Sequence, residues 1–418
     1  MTNFKSQFFN TMVERGFFNQ CTNETGFDEY LYECETKGVP AVGYLGSDPT
    51  GDSLHVGHLV PVMMMRWFQS VGHKPLMLVG GATARIGDPS GKDKLRPFLD
   101  EETLERNIAG LKKSYSKFIK FGEGKNDSIM VDNWDWFQNI NYLSFLRDIG
   151  VYYSVNRMLT MESVKARLER EQPMSFLEFN YQLLQGYDFC QLFETFGCRA
   201  QIAGSDQWGN IVSGTELGRR RNDVELFGFT CPIITDSSGK KMGKSEGNAV
   251  WINEDKLPAY DYWQYFRNVG DADVGKCLRV FTDLPMDEVR RLEVLEGSEI
   301  NEAKKILADR ATILCRGEDE AKLAHDTAQK VFEQGGVGGE LPSIAFVEGM
   351  SVLDAFVEIG FVESKGEARR MIKQSGLKVN DKVVVDEKMV LTSADLIEGQ
   401  VKIAQGKKKF GVVTSAAR

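Results

Sequence analysis

Residues 39–91 read VPAVGYLGSDPTGDSLHVGHLVPVMMMRWFQSVGHKPLMLVGGATARIGDPSG. The first nine form a short apolar run of the kind that suits a parallel strand buried on both faces. Asp48, Pro49, Thr50, Gly51 and Asp52 then break the run with turn chemistry. Residues 54–70 are apolar enough for a helix packed on a sheet, and 75–79 supply the next strand. Strand, loop, helix and strand in that order predict an α/β fold with a parallel sheet. His55, Val56, Gly57 and His58 stand at the join of loop and helix.

A helix start presents unpaired N–H groups and the positive end of the helix dipole, and both attract phosphate. Two histidines three apart share one face of a first helical turn. Each can donate to phosphate oxygens or, once protonated, offset developing negative charge. Gly57 between them leaves room for a flat base against the main chain. The plain alternative is a pair of surface histidines at a helix cap. Two of only four histidines in the chain sit here, which favours phosphate chemistry.

A chain of 418 residues is long enough for two to four domains. Its net charge of −9 argues against wholesale electrostatic binding to nucleic acid, though a local patch can hide in the average. Seven cysteines without a C-x-x-C pair fit reduced thiols of a cytosolic protein, and no protein metal site is expected. Lys5, Glu14 and Arg15 interrupt residues 1–20, which predicts a helix there and not a signal peptide. No run approaches the roughly 18 apolar residues of a membrane-spanning helix.

Residues 1–38 read as one amphipathic helix and a connector. Helical spacing follows over 100–121 and strand character over 128–131. From 134 to 197 the pattern is helical throughout, which predicts an insertion between two strand-and-helix halves and a surface for dimerisation. Strand character returns at 198–203 and 227–234, followed by a polar loop rich in glycine and lysine over 235–248. Residues 256–330 are helical, with Ile300, Ala303, Ile306, Leu307, Ala311 and Leu314 as one apolar stripe. The expected boundaries are a catalytic domain at 1–250, a helical domain at 251–333, a glycine-rich linker at 334–345 and a small α+β domain at 346–418. Residues 361–418 carry twelve Lys or Arg against seven Asp or Glu, a local +5 that leaves −14 on the rest.

Lys240, Lys241, Met242, Gly243, Lys244 and Ser245 lie in the loop after the last strand. Lysines on a mobile loop can close over a triphosphate and act on the transition state. Alone, such a loop is an ordinary solvated surface; with an H-x-G-H upstream it becomes the second half of a phosphate site. This pairing resembles the class I aminoacyl-tRNA synthetases, HVGH standing for the HIGH signature and KMGKS for KMSKS. More narrowly, YLGSDPTGDSLHVGHL, GGATARIGDPSGK, NYQLLQGYDF, GSDQWGN and KMGKS, in that order, closely resemble the bacterial tyrosyl-tRNA synthetases over residues 40–250. Val56 and Gly243 depart from the two signatures. Leu45 stands where many members carry a cysteine that bonds the ATP ribose, so that contact is not expected here.

The resemblance implies a Rossmann-like catalytic domain with a helical insertion. It also implies tyrosine, ATP with Mg²⁺ and tRNA(Tyr) as substrates, no tightly bound cofactor, a homodimer and a cytoplasmic setting. Tyr181, Gln185 and Asp188 carry an independent hint, because they fall at i, i+4 and i+7 on one face of an apolar helix. Such a stripe is paired inside a site or inside a core network. By resemblance, Tyr181, Gln185 and Asp88 hold the ammonium group of tyrosine, while Tyr44 and Asp188 read its phenolic hydroxyl. Phenylalanine would leave that polar pair unsatisfied. Thr50 and His55 are assigned to the leaving phosphates, and His58 and Gly57 to the ribose and adenine. Lys92, Arg96, Lys241 and Lys244 would clamp pyrophosphate; Asp48, Gly204, Asp206 and Gln207 would hold the tyrosine backbone and the ribose.

SVLDAFVEIG at 351–360 and the SKGEARRMIKQSGLKVNDKVVVD that follows resemble an S4-type RNA-binding domain over about 350–405. Arg369, Arg370, Lys373 and Lys378 would there contact successive phosphates, unless they form only a solvated basic face. The helical block would lie near the anticodon. Rival readings are a tryptophanyl-tRNA synthetase-like ligase, a nucleotidylyltransferase acting on a small substrate, and a non-catalytic RNA-binding protein on the same scaffold. Tyr44 with Asp188 favours tyrosine over tryptophan, the tail argues against the second, and the intact His and Lys signatures argue against the third.

Overall fold

A computed structural model describes residues 4–88, 99–245, 248–333, 341–397, 399–406 and 409–415. The chain divides into two compact units, Met1–Pro258 with Gln264–Arg316, and Ala259–Trp263 with Gly317–Arg418. The segments grouped above as residues 251–333 are therefore shared between the two. No helix among the described residues is long and apolar enough to cross a membrane.

Six strands make the sheet of the first unit: β1 (Gln20–Cys21), β2 (Val42–Ser47), β3 (Lys74–Val79), β4 (Ile129–Asp132), β5 (Ala200–Gly204) and β6 (Phe227–Cys231). Their order is β1-β6-β5-β2-β3-β4, parallel except for β1, which runs antiparallel to β6. Nearly every residue of β3, β5 and β6 is buried, as helices on both faces of a parallel sheet require. From β2 the chain winds outward through β3 and β4, then returns to lay β5 on the other side of β2. In sheets of this kind, ligands bind where the winding reverses, beyond the carboxyl ends of the two central strands.

The N-terminal segment departs from expectation. In place of one helix and a connector there are two helices, Gln7–Glu14 and Glu24–Lys37, with the edge strand β1 between them. Ser6 and Asn23 cap their starts by accepting from the N–H groups of Phe9 and Gly26. Phe9 and Phe27 pack on Phe229 and Phe227 of β6, with ring centroids 5.2 and 5.1 Å apart, and so hold β1 against its partner.

Between β4 and β5 the described chain is helical, as its spacing predicts. The last of these helices, Phe176–Phe196, belongs to the domain itself: Phe189 and Leu192 pack in one core with Tyr44, Leu76, Leu78 and Val131. It is the crossover that returns the chain to β5, so residues 176–196 are no insertion. Ser175 and Glu178 start it with a reciprocal capping box, and Gly197 ends it in the left-handed region.

The second unit contains a five-stranded sheet in the order Lys382–Val383, Leu377–Val379, Gln400–Gln405, Lys409–Thr414, Ser343–Ala345. Val352, Phe356, Ala368 and Ile372 of its helices Val352–Glu358 and Lys365–Lys373 share a core with Leu377, Val401, Ile403 and Val413 of the sheet. This is the α+β arrangement that its sequence pattern predicts.

Candidate functional site

A cavity of about 550 Å³ opens at the carboxyl ends of β2 and β5. It is lined by Tyr44, Asp48, Thr50, His55, Gly57, His58, Asp88, Tyr181, Gln185, Asp188, Gly204, Asp206, Gln207 and Lys241. These are all the residues assigned above to tyrosine or ATP whose side chains are described. Lys92 and Arg96 lie outside the described residues, as does the side chain of Lys244. Leu45 is buried and lines the cavity, so an apolar group stands at that point of its wall.

The helix expected over 54–70 begins later. Val56–His58 is a 3₁₀ turn, and the α-helix runs Leu59–Ser70. The tighter turn stacks the two imidazoles, with centroids 3.7 Å apart and planes at 24°. Nδ1 of His55 accepts the N–H of Gly57 at 3.1 Å, and Nδ1 of His58 accepts the N–H of His55 at 3.3 Å. In each neutral ring the proton therefore sits on Nε2, which makes that nitrogen a donor. The main chain has fixed two tautomers suited to anionic oxygens.

The lysine loop meets this turn directly. Thr235 and Lys241 pair across a bridge, and the N–H of Met242 donates to the carbonyl of Ile234 at 3.0 Å. Gly243, at φ +88°, packs on Gly57. A Cβ on Gly57 would in turn lie 2.9 Å from the Met242 carbonyl oxygen. Side chains at either glycine would push the two segments apart. Beyond the loop, Trp251 forms a bridge with His55, and its ring stands edge-on to the imidazole at 6.1 Å.

The far end of the cavity is built for a polar group inside an apolar wall. Asp188 is buried and accepts from Nδ2 of Asn133 at 3.1 Å and Nε1 of Trp136 at 2.9 Å. Burial nevertheless pushes its carboxyl up to about 8, the two donors opposing the rise. The Tyr44 hydroxyl is also buried and has no hydrogen-bond partner among the described residues. Burial first, and the Asp188 charge second, raise that phenol well above its ordinary value. An orphaned hydroxyl beside a carboxyl marks a place for a ligand that bonds both.

Nearer the middle, Asp48 accepts from Thr83 Oγ1 at 2.7 Å and from the Tyr181 hydroxyl at 3.1 Å. Asn133 also donates to Thr83 Oγ1, at 3.1 Å, and its Oδ1 accepts the N–H of Ala82. One amide thus joins the Asp48 network to Asp188. Nε2 of Gln207 donates to Asp88 at 2.9 Å and to Asp206 at 3.1 Å. Asn133, Trp136 and Thr83 are absent from the sequence-based assignments. Asn133 directly follows β4, and the rule that strand ends line the crevice could have found it. Among the described residues, no group of three or more His, Cys, Asp or Glu could hold a metal ion.

In the second unit, Arg369, Arg370 and Lys373 are exposed on the helix Lys365–Lys373, and Lys378 lies on the strand Leu377–Val379. Arg369 pairs with Glu387 at 3.6 Å, a surface contact of little energy.

The family described as tRNA synthetases class I (W and Y) matches residues 36–333, and the tyrosine--tRNA ligase SYY-like C-terminal domain matches residues 332–413. The chain is 52% identical to a tyrosine--tRNA ligase of Nitrobacter winogradskyi, covering 100% of both chains. It is 51% identical to that of Rhodospirillum rubrum, covering 99% of both. A C-terminally truncated mitochondrial tyrosyl-tRNA synthetase of Aspergillus nidulans superposes with a TM-score of 0.70 at 29% identity, over 78% of this chain and 94% of that one.

Proposed function

The chain belongs to the class I tRNA synthetases (W and Y), on the tyrosine--tRNA ligase side, and from that premise we infer how its cleft works. It activates tyrosine with ATP to tyrosyl-adenylate and pyrophosphate, then transfers the tyrosyl group to the 3′-terminal adenosine of tRNA(Tyr). One observation carries the reading: a stacked imidazole pair and a lysine loop meet in a single cavity that also contains a buried carboxyl and an orphaned phenol.

The tyrosine carboxylate is itself the nucleophile, so the protein's work is placement and charge stabilisation. Tyr44 donates to the substrate's phenolic oxygen, and Asp188 accepts its hydroxyl proton. Tyr181, Gln185 and Asp88 hold the ammonium group, with Asp48, Gly204, Asp206 and Gln207 on the tyrosine backbone and the ribose. As the carboxylate oxygen bonds to the α-phosphorus, the bond to pyrophosphate breaks. Thr50 and the Nε2–H groups of His55 and His58 donate to the oxygens that gain charge, with Gly57 leaving space for the adenosine. Lys241, with Lys92, Arg96 and Lys244, holds the leaving pyrophosphate. The phosphate end offers hydroxyl, imidazole and ammonium donors, which suits Mg²⁺ carried on the nucleotide to neutralise phosphate charge.

The second unit binds RNA through Arg369, Arg370, Lys373 and Lys378, with the helical segments over 251–333 near the anticodon. Exposed Leu143, Val151, Val155 and Phe176 on the 134–197 helices support a homodimer, and the protein works in the cytoplasm. Pyrophosphate exchange tested with each of the twenty amino acids decides the function. Exchange with tyrosine alone is expected; exchange with tryptophan, or with none, defeats the reading.

A further inference from the structure

Residues 250–257 follow the lysine loop and run past the imidazole pair. The N–H of Val250 donates to the Gly243 carbonyl at 3.0 Å, that of Val56 to the Val250 carbonyl at 2.9 Å, and that of Ile252 to the Leu54 carbonyl at 2.9 Å. Both signature segments are therefore mounted on the same short strip. Buried Asn253 ties the strip to the Thr50 loop as well, donating through Nδ2 to the Asp52 carbonyl at 3.0 Å.

The carbonyls of Trp251, Ile252 and Leu257 converge on one side chain. Arg316 ends the helix Ile300–Arg316; its Nη2 donates to Trp251 at 3.3 Å and to Leu257 at 3.0 Å, and its Nη1 donates to Ile252. A planar fork of donors can meet three carbonyls at once, which a lysine ammonium cannot match in geometry. Arg316 does not line the cavity. We propose that Arg316 is a positioning residue for adenylate formation, fixing through three main-chain carbonyls the strip that sets His55 and anchors the lysine loop. Misplacement of such groups by a fraction of a bond length to one ångström is enough to slow chemistry without changing what binds at the far end of the cavity.

The kinetic part of this inference rests on the function proposed above; the structural part does not. The test uses the full chain with Arg316→Met and Arg316→Lys. It reads amide hydrogen exchange at Val56, Val250 and Ile252, tyrosine-dependent pyrophosphate exchange, tyrosine affinity and melting temperature. Arg316→Met is expected to speed amide exchange at those positions about tenfold and to slow pyrophosphate exchange about 10- to 100-fold. Tyrosine affinity should stay unchanged, with Arg316→Lys in between. Unaltered amide exchange overturns the proposal, and so does a parallel loss of tyrosine affinity and melting temperature, which marks a general structural role. If Arg316→Met does not fold, Arg316→Lys is judged by the same criteria. A wild-type chain without tyrosine-dependent exchange defeats the function instead, and amide exchange still judges Arg316.

Discussion

Gly243 rests on Gly57: a Cβ on Gly243 would lie 2.4 Å from the main-chain nitrogen of Gly57 and 3.1 Å from its Cα. At φ +88° an L side chain is strained even in open space. Gly243→Ala must therefore lift the lysine loop from the imidazole turn. The expected result is a rise in KM for ATP and a fall of about tenfold or more in the rate of adenylate formation. Tyrosine affinity, set at the other end of the cavity, should not move. Stopped-flow kinetics with both substrates varied checks this, and a variant with unchanged ATP dependence refutes the contact's importance.

His55→Ala removes a donor and also a cap, because Nδ1 of His55 accepts the Gly57 N–H. Lys241→Ala removes only a charge on an exposed residue of the loop. Both should slow adenylate formation by about 100-fold or more, the scale of losing one transition-state donor, while tyrosine binding stays near wild type. His55→Ala should in addition lower the melting temperature, by the loss of a cap of about 1 kcal/mol. Weakened tyrosine binding at an unchanged rate would contradict both assignments.

Asp188 depends on Asn133 and Trp136, which donate to its carboxyl at 3.1 and 2.9 Å. Asp188→Ala should abolish either activity or discrimination against phenylalanine, since the acceptor for the hydroxyl proton is gone and only the Tyr44 hydroxyl remains to be left unpaired by phenylalanine. Trp136→Phe keeps the ring and deletes one donor, so it should weaken tyrosine binding by about 1 kcal/mol or more and leave phenylalanine binding unaffected. Amino acid-dependent pyrophosphate exchange with both substrates measures each effect. Selectivity retained in Asp188→Ala would move the hydroxyl reader elsewhere.

The parallel strands of the large sheet are legible because each is a short apolar run closed by turn residues: residues 75–79 read as a strand, and β3 is Lys74–Val79. Tyr181, Gln185 and Asp188 were legible because helical spacing puts polar groups in line on an apolar helix. What escaped was whatever depends on distant main chain. No local pattern announces the two-residue β1, which exists because β6 offers it an edge. The delayed helix start follows from the reciprocal Nδ1 caps, and those need the 3₁₀ geometry first. Of the apolar stripe on the helix Ile300–Arg316, Ala303, Leu307 and Ala311 are buried and Ile300, Ile306 and Leu314 are half-buried; Ala308, Thr312 and Cys315 complete the inner face. Arg316 carries no signal in the sequence, and only the three carbonyls around it give it a role.

Arg370 and Lys373 are exposed on one helix of the second unit. If they grip phosphates, Arg370→Ala or Lys373→Ala should weaken RNA binding about equally for every sequence and reduce the salt slope by about one each. Filter binding of tRNA over a range of salt measures both. An unchanged slope would leave these residues as a solvated face.

The raised Asp188 carboxyl makes tyrosine binding a proton-linked event. Near neutral pH the empty site holds a proton on Asp188, because burial lifts the group to about 8. Tyrosine brings a phenolic hydroxyl that donates best to the carboxylate, joining Asn133 and Trp136 as a third donor. Binding below about pH 8 must then release that proton, so affinity should rise with pH, by up to about tenfold per unit, and level off above about 8. Stability of the empty enzyme runs the other way. The unfolded carboxyl titrates near 3.8 and the folded one near 8, so this group's favourable contribution is complete below the lower value and is lost as pH rises through the upper one. Titration calorimetry in buffers of different ionisation enthalpy counts the released proton, and Asp188→Asn should abolish the release. Proton uptake on binding, or an affinity flat between about pH 6 and 8, would mean that the phenol meets a carboxyl already ionised in the empty site.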